Sequence, residues 1–234
     1  MLEDALQFFL DDGSISEVLY QLKSDKEATV WLCRAGSGLA AAKIYRSHGS
    51  HGFNNDVVYR VGRAILEDRV ARAVYGKTRF GREAAKTMWL GQEYQMLRTL
   101  FRAGIDVPRP LAAGEGGVLM SAVMLNGRPA PQLREAPVSD ARPIFERLLN
   151  NIEDMLANDV IHGDLSPFNV LLGDEGPVII DLPQAVDPRM NPNARELLFR
   201  DVESICRWAG RYGIQENGFM VADDLWSRWE RAML

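Results

Sequence analysis

Three polar residues stand out because each is set against apolar sequence: Asp164 and Asn169 in HGDLSPFNVLL (162–172), and Asp181 in VIIDLP (178–183). Asp164 and Asn169 lie five residues apart on a loop, and Asp181 follows Asn169 by twelve, after a short hairpin. Phosphoryl transfer needs a carboxylate beside the attacking hydroxyl, and oxygen ligands for a Mg²⁺ ion that bridges phosphates. Asp164 suits the first task, as base or orienter of the acceptor hydroxyl. Asn169 and Asp181 suit the second. Any one alone would read as a turn residue, the ordinary use of Asp and Asn in loops. Together they match a spaced signature: a loop Asp, an Asn a few residues on, and a metal-binding Asp after the next hairpin. A carboxylate closing the apolar run PVIID also has few structural uses, because burying an unpaired charge is costly. His162 reads as a packed, hydrogen-bonded residue without a chemical role, and Asp174 and Glu175 as solvated turn residues.

The first half carries a second polar pair. Lys43 sits in the apolar strand AAAKIY, and a lone ammonium there needs an anion. Glu93 shares a helical stripe with Trp89 at i−4 and Leu97 at i+4, so it needs a cation for the same reason. A Lys43–Glu93 ion pair answers both needs and would aim Lys43 at nucleotide phosphates. The run Gly36-Ser-Gly38-Leu-Ala-Ala41 fits G-x-G-x-x-A superficially. A dinucleotide fingerprint requires a helix after the turn, however, and a strand follows here. No G-x-x-x-x-G-K-[ST] motif occurs, which argues against a P-loop enzyme.

The elements that must position these groups change character along the chain. ATVWLCR (28–34), the turn AGSG (35–38) and LAAAKIY (39–45) read as a hairpin. Residues 46–56 read as a loop, and about 57–103 as helical, with Trp89, Met96, Leu97 and Leu100 on one stripe. DVPRP (106–110) breaks that helix. GVLMSAVM (117–124) reads as a short buried strand, and NGRPAPQLREAP as an extended connector whose prolines forbid regular pairing. Ile144, Leu148, Ile152, Met155 and Leu156 mark an amphipathic helix. NVLL and PVIID are strands around the turn GDEG, and 194–211 and 219–233 read as helices. The expected fold is α+β and two-lobed: an N-lobe over 1–119, a hinge over 120–126 and a mostly helical C-lobe over 127–234, the outline of a protein-kinase-like fold.

Composition narrows the class. The chain has 234 residues, 47% of them hydrophobic, enough for a sizeable core. A net charge of −5 argues against nucleic acid as the main partner. Cys33 and Cys206 make no metal-ligand spacing and suit a reducing compartment. MLEDALQFFL lacks a basic n-region, and no apolar run reaches the ~18 residues of a membrane span. A cytoplasmic protein without a membrane partner is expected.

These residues resemble the RIO family of atypical serine protein kinases. SDKEATVW (24–31) is similar to the family's phosphate-binding loop, and KIY (43–45) to its lysine segment. GRPAPQL (127–133) is similar to its hinge exit. HGDLSPFN, IDLPQAV and NPNA (191–194) are similar to its H-x-D-L-S-x-x-N and I-D-x-P-Q-A-V…H-P-N-A blocks. The resemblance spans about residues 20–210. It implies an ATP-dependent enzyme using Mg²⁺ or Mn²⁺. Lys43 would sit on the phosphates with Glu93 as its partner, and Asp164 would be the catalytic aspartate. Asn169 and Asp181 would be metal ligands, with Asp181 also the site of an aspartyl-phosphate in an ATPase cycle. Ser24, Lys26 and Glu27 would lie in the phosphate loop. Met120 would be the gatekeeper, and Ser121 and Val123 would meet adenine through backbone groups. The region 46–86 would be the family's flexible loop. Serine autophosphorylation and a protein partner, including a ribosome-associated one, are further implications. Two positions depart from the pattern: Asp25 stands where the family has Gly, and Gly163 stands where general kinases have Arg. The alternatives are a small-molecule phosphotransferase of the aminoglycoside or choline type, which shares HGDL…N, and an ATP-gated binding module.

Overall fold

Alternating burial builds a sheet in the first half. In the computed structural model, which describes residues 2–46, 91, 93–114 and 116–234, five antiparallel strands stand in the order β1-β2-β3-β5-β4. They are β1 (Glu17–Ser24), β2 (Ala28–Ala35), β3 (Gly38–Tyr45), β4 (Pro110–Gly114) and β5 (Gly117–Ser121). β2 and β3 pair from Ala28↔Tyr45 to Ala35↔Gly38, so Gly36 and Ser37 form a two-residue hairpin turn and no helix begins there. The buried strand expected over 117–124 stops at Ser121. Ala122 still donates to the Leu39 carbonyl at 3.0 Å before the chain leaves the sheet.

One face of this sheet is closed by α1 (Leu2–Asp11). Its buried residues Ala5, Leu6 and Phe9 follow helical spacing, and they pack with Cys33, Ala35, Ala40, Ala42, Ile44 and Leu119. Small residues on the strands let the helix approach closely. A Cβ at Gly114 would stand 2.1 Å from the Phe8 ring, so glycine is required there by space. α1, β1 and β4 were not read as elements from the sequence. β1 is largely exposed and so lacks a clean alternation, and β4 opens on a proline, which strands accept at their first residue.

The chain clusters into two units. Among the described residues, the first comprises 2–46, 91, 93–98, 108–114 and 116–122, and the second 99–107 and 123–234. Residues 93–102 are helical and are called α2. The loop expected over 46–56, the helical reading of 57–90 with Trp89, and the flexible loop expected over 46–86 lie outside the described residues, apart from Arg46.

The second unit is mostly helical: α3 (Arg142–Ala157), α4 (Ala194–Gly210) and α5 (Gly218–Glu230) pack together. α3 buries Phe145, Leu148, Asn151, Ile152, Met155 and Leu156: four of the five expected stripe residues hold, Ile144 is only half-buried, and Phe145 and Asn151 join the buried face. Two small ladders accompany the helices, β6 (Met124–Leu125) with β7 (Arg128–Pro129) and β8 (Val170–Gly173) with β9 (Gly176–Ile179). The connector after Met124 is therefore partly paired, against expectation, because a proline removes one donor and a two-residue ladder tolerates that loss. Asp106 ties this unit together. Its carboxylate accepts from Arg147 Nε and Nη2, both at 2.6 Å, and from Asn151 Nδ2 at 2.8 Å, while its carbonyl accepts from Ile179 N. No helix among the described residues is long and apolar enough to cross a membrane.

Candidate active site

The loop 162–169 is shaped by a handful of backbone bonds within the second unit. Asn169 N donates to Ser166 O at 2.8 Å, closing a turn, and Asn169 O accepts from Ile180 N at 2.9 Å, extending the β8–β9 pairing by one step. The residue after Ile180 is Asp181, so this pairing brings Asn169 and Asp181 together. Asp181 lies two residues past β9 rather than at its end, and its φ is 70°. That conformation costs a non-glycine residue about 1–3 kcal/mol, and Asp is among the few residues that adopt it readily.

Asn169 Nδ2 donates to the Asp164 carbonyl at 2.8 Å and approaches Asp164 Oδ2 at 3.3 Å. An amide that turns its nitrogen to Asp164 turns its oxygen, the atom a hard cation would take, to the other side. Asp164 opens to solvent on one side. Burial of the rest pushes its carboxyl above the usual range, His162 and Arg200 oppose that shift, and the Asp181 charge adds to it. Two interacting carboxylates and an amide oxygen form a donor set suited to Mg²⁺, which takes oxygen ligands and shares them with phosphate and water. Among the described residues no cluster of three or more His, Cys, Asp or Glu side chains could hold a metal unaided.

His162 is buried. Its Nε2 donates to the Ile180 carbonyl at 3.0 Å and its Nδ1 accepts from Asp164 N at 3.3 Å, so the ring joins the loop to the residue before Asp181. Gly163 has φ 82°, a left-handed conformation that glycine adopts without strain. Its N–H points to Asp201 Oδ2 at 2.8 Å, and Leu165 N donates to Asp201 Oδ1 at 2.7 Å. Asp201 thus clamps both flanks of Asp164 from within α4. Sequence reasoning assigned it nothing, yet it sits on the apolar stripe of Leu197, Leu198, Val202 and Ile205, the same signal that singled out Glu93. Phe168 projects from the loop half exposed, with the Arg134 guanidinium 4.3 Å from its ring centre.

In the first unit, Lys43 Nζ donates to Glu93 Oε1 at 2.9 Å, and both side chains are largely shielded from solvent. The two residues are fifty positions apart, and β3 and α2 bring them together. Ser24, Lys26 and Glu27 stand exposed at the β1–β2 turn. Asp25 Oδ1 accepts from Glu27 N at 3.0 Å and from Ala28 N at 2.8 Å, and Asp25 N donates to Ala28 O. The unexpected acid therefore occupies two backbone N–H groups of its own loop. Met120 and Ser121 close β5, where Ser121 N donates to Arg109 O at 2.8 Å. Val123 O accepts from Ala130 N at 2.9 Å.

Comparison with known proteins gives one consistent answer. A family model described as the RIO domain matches residues 29–221. The chain is 29% identical over 220 residues to a RIO-type serine/threonine-protein kinase Rio1 of Haloferax volcanii, covering 92% of this chain and 70% of that one. It is 30% identical to the Rio1 protein of Thermoplasma acidophilum over 141 residues, covering 60% of this chain and 74% of the relative. Among solved structures it resembles the Rio2 kinase of Chaetomium thermophilum in its ADP/Mg²⁺-phosphoaspartate complex, with a TM-score of 0.64 and 22% identity. That match covers 91% of this chain, which spans 61% of the Rio2 chain.

Proposed function

The chain belongs to the RIO domain family, and from that membership we propose an ATP- and Mg²⁺-dependent serine/threonine kinase that autophosphorylates or releases phosphate as an ATPase. The observation that carries this reading is the Asp164–Asn169–Asp181 group, joined by the Asn169 bonds to Asp164 and by the Ile180–Asn169 pairing. Bound ATP supplies the γ-phosphoryl group, and Mg²⁺ or Mn²⁺ offsets the phosphate charge. Asp164 orients and deprotonates the acceptor hydroxyl. Asn169 and Asp181 present oxygens to the metal, and Asp181 is the acceptor in an ATPase cycle. Lys43, held by Glu93, contacts phosphate, and Ser24, Lys26 and Glu27 line the phosphate loop. Met120 borders the adenine position. Ser121 and Val123 meet adenine through backbone groups. In this reading 1–119 acts as N-lobe, 120–126 as hinge and 127–234 as C-lobe. The substrate is a protein, and two buried, unbridged cysteines suit a cytoplasmic setting.

Incubation with γ-labelled ATP and Mg²⁺ tests the proposal. Label on the protein or free phosphate is the expected result, whereas ATP left intact with and without candidate protein acceptors would refute it. A small hydroxylated molecule that raises turnover far above the basal rate would instead favour the aminoglycoside-type reading. The phosphate loop yields a separate prediction. Asp25→Gly frees the Glu27 and Ala28 amides from an internal acceptor worth about 1 kcal/mol per bond, so nucleotide should bind about 3- to 10-fold more tightly. Unchanged or weaker affinity in a titration would mean that this turn does not meet the phosphates.

A further inference from the structure

Lys43 and Tyr45 are two positions apart on β3 and therefore share a face, opposite to the one on which Ala40, Ala42 and Ile44 pack under α1. Tyr45 is buried, and its ring is not merely filler. Its hydroxyl donates to Glu93 Oε2, while Lys43 Nζ donates to Oε1 at 2.9 Å. The Lys43 ammonium also lies 5.0 Å from the centre of the Tyr45 ring. Burial pushes the Tyr45 hydroxyl well above its usual pKa; Lys43 opposes that shift and Glu93 adds to it. The hydroxyl therefore stays protonated and remains a donor across the working range.

A carboxylate gripped at one oxygen can rotate about its terminal bond. Gripped at both, it cannot. Without the hydroxyl, Oε2 of the buried Glu93 would lose a donor and would turn toward the nearest remaining charge, the Lys43 ammonium. That movement would draw the lysine into the ion pair and away from phosphate. We propose that Tyr45 is a positioning residue for the phosphate-binding lysine: its hydroxyl fixes the Glu93 carboxylate and its ring supports the ammonium, so that Lys43 is presented to the nucleotide phosphates in one orientation. The inference rests on the nucleotide-binding reading of Lys43 and Glu93 above, and its test separates the two.

The test is calorimetric titration of the full chain with Mg-ATP and, separately, with adenosine, which has no phosphates. Four proteins are compared: the unaltered chain, Tyr45→Phe, Lys43→Met and the double variant. Tyr45→Phe keeps the ring and removes one hydrogen bond to a charged group, so Mg-ATP should bind about tenfold more weakly. Adenosine affinity should stay within about twofold, because any general loosening would weaken both ligands together. In the Lys43→Met background, Tyr45→Phe should add nothing, since the group it positions is gone. Equal losses for ATP and adenosine, or additive effects in the double variant, would show a role in packing alone and overturn the inference. If Lys43→Met itself binds Mg-ATP as tightly as the unaltered chain, the nucleotide assignment fails first and the inference falls with it.

Discussion

Asp164→Asn is expected to slow phosphoryl transfer by about 10²- to 10⁴-fold, the range associated with a positioned general base. Asparagine preserves the side chain's shape and can still accept from Asn169 Nδ2, which now approaches Oδ2 at 3.3 Å. It removes the basicity and the charge, not the contact. Because Asp164 interacts unfavourably with the Asp181 carboxylate, losing that charge should leave the unfolding midpoint unchanged or slightly raised. The informative comparison is a single-turnover rate with γ-labelled ATP alongside nucleotide affinity and thermal unfolding. A rate within about threefold of the unaltered chain, well below a general base's usual contribution, would remove Asp164 from the chemistry. A rate loss matched by an equal loss of ATP affinity would instead recast it as a binding residue.

The second large effect concerns a residue that touches no reactant. Asp201 is buried, and each of its oxygens accepts one backbone N–H from the loop that carries Asp164. Asp201→Ala removes the acceptor that the buried carboxylate gives to the Gly163 and Leu165 N–H groups, a loss of about 1–3 kcal/mol per buried bond. Part of that loss is offset by removing a carboxyl whose burial is itself unfavourable, so a net destabilisation of about 2–4 kcal/mol is expected. Activity should fall as well, because the loop loses its anchor. Hydrogen exchange at the Gly163 and Leu165 amides distinguishes this from general unfolding: these two should exchange faster than the amides of α3. Asp201→Asn should not rescue the function, since its amide nitrogen would face a backbone donor.

The same residue makes stability depend on pH. Burial pushes the Asp201 carboxyl up to about 6, with the His162 ring and the two backbone N–H groups opposing the shift. Between the ordinary carboxylate range and pH 6 the folded chain holds a proton that the unfolded chain has released. Stability from this group is therefore highest at low pH and declines as pH rises through that window, by about 3 kcal/mol in all. Denaturant unfolding at pH 4 and at pH 7 should show this decline, and Asp201→Asn should flatten it. An equal slope in both proteins would assign the pH dependence to other groups.

The candidate site of the second unit could be proposed from the sequence because its pattern is local. Asp164, Asn169 and Asp181 fall within eighteen consecutive residues around one hairpin, so spacing alone proposes their neighbourhood. Lys43 and Glu93 are fifty positions apart, and their pairing was legible for a different reason. A charge on an apolar strand and a charge on an apolar helical stripe each need an opposite partner, and each supplies the other's. The α+β class and the helices of the second unit followed from periodicity in the same way.

Other features arise from distant segments meeting, which no local pattern encodes. α1 packs on the sheet because Phe8 and Phe9 meet glycines more than a hundred residues away. Asp201 becomes a clamp because α4 carries it to the backbone of a loop almost forty residues earlier. Tyr45 looks like an ordinary aromatic strand residue until its hydroxyl is seen against Glu93. The chain therefore announces which groups need partners, since burying a charge without one is prohibitive. Which backbone amides and hydroxyls satisfy them depends on distances set by packing, and those exist only once the chain has folded.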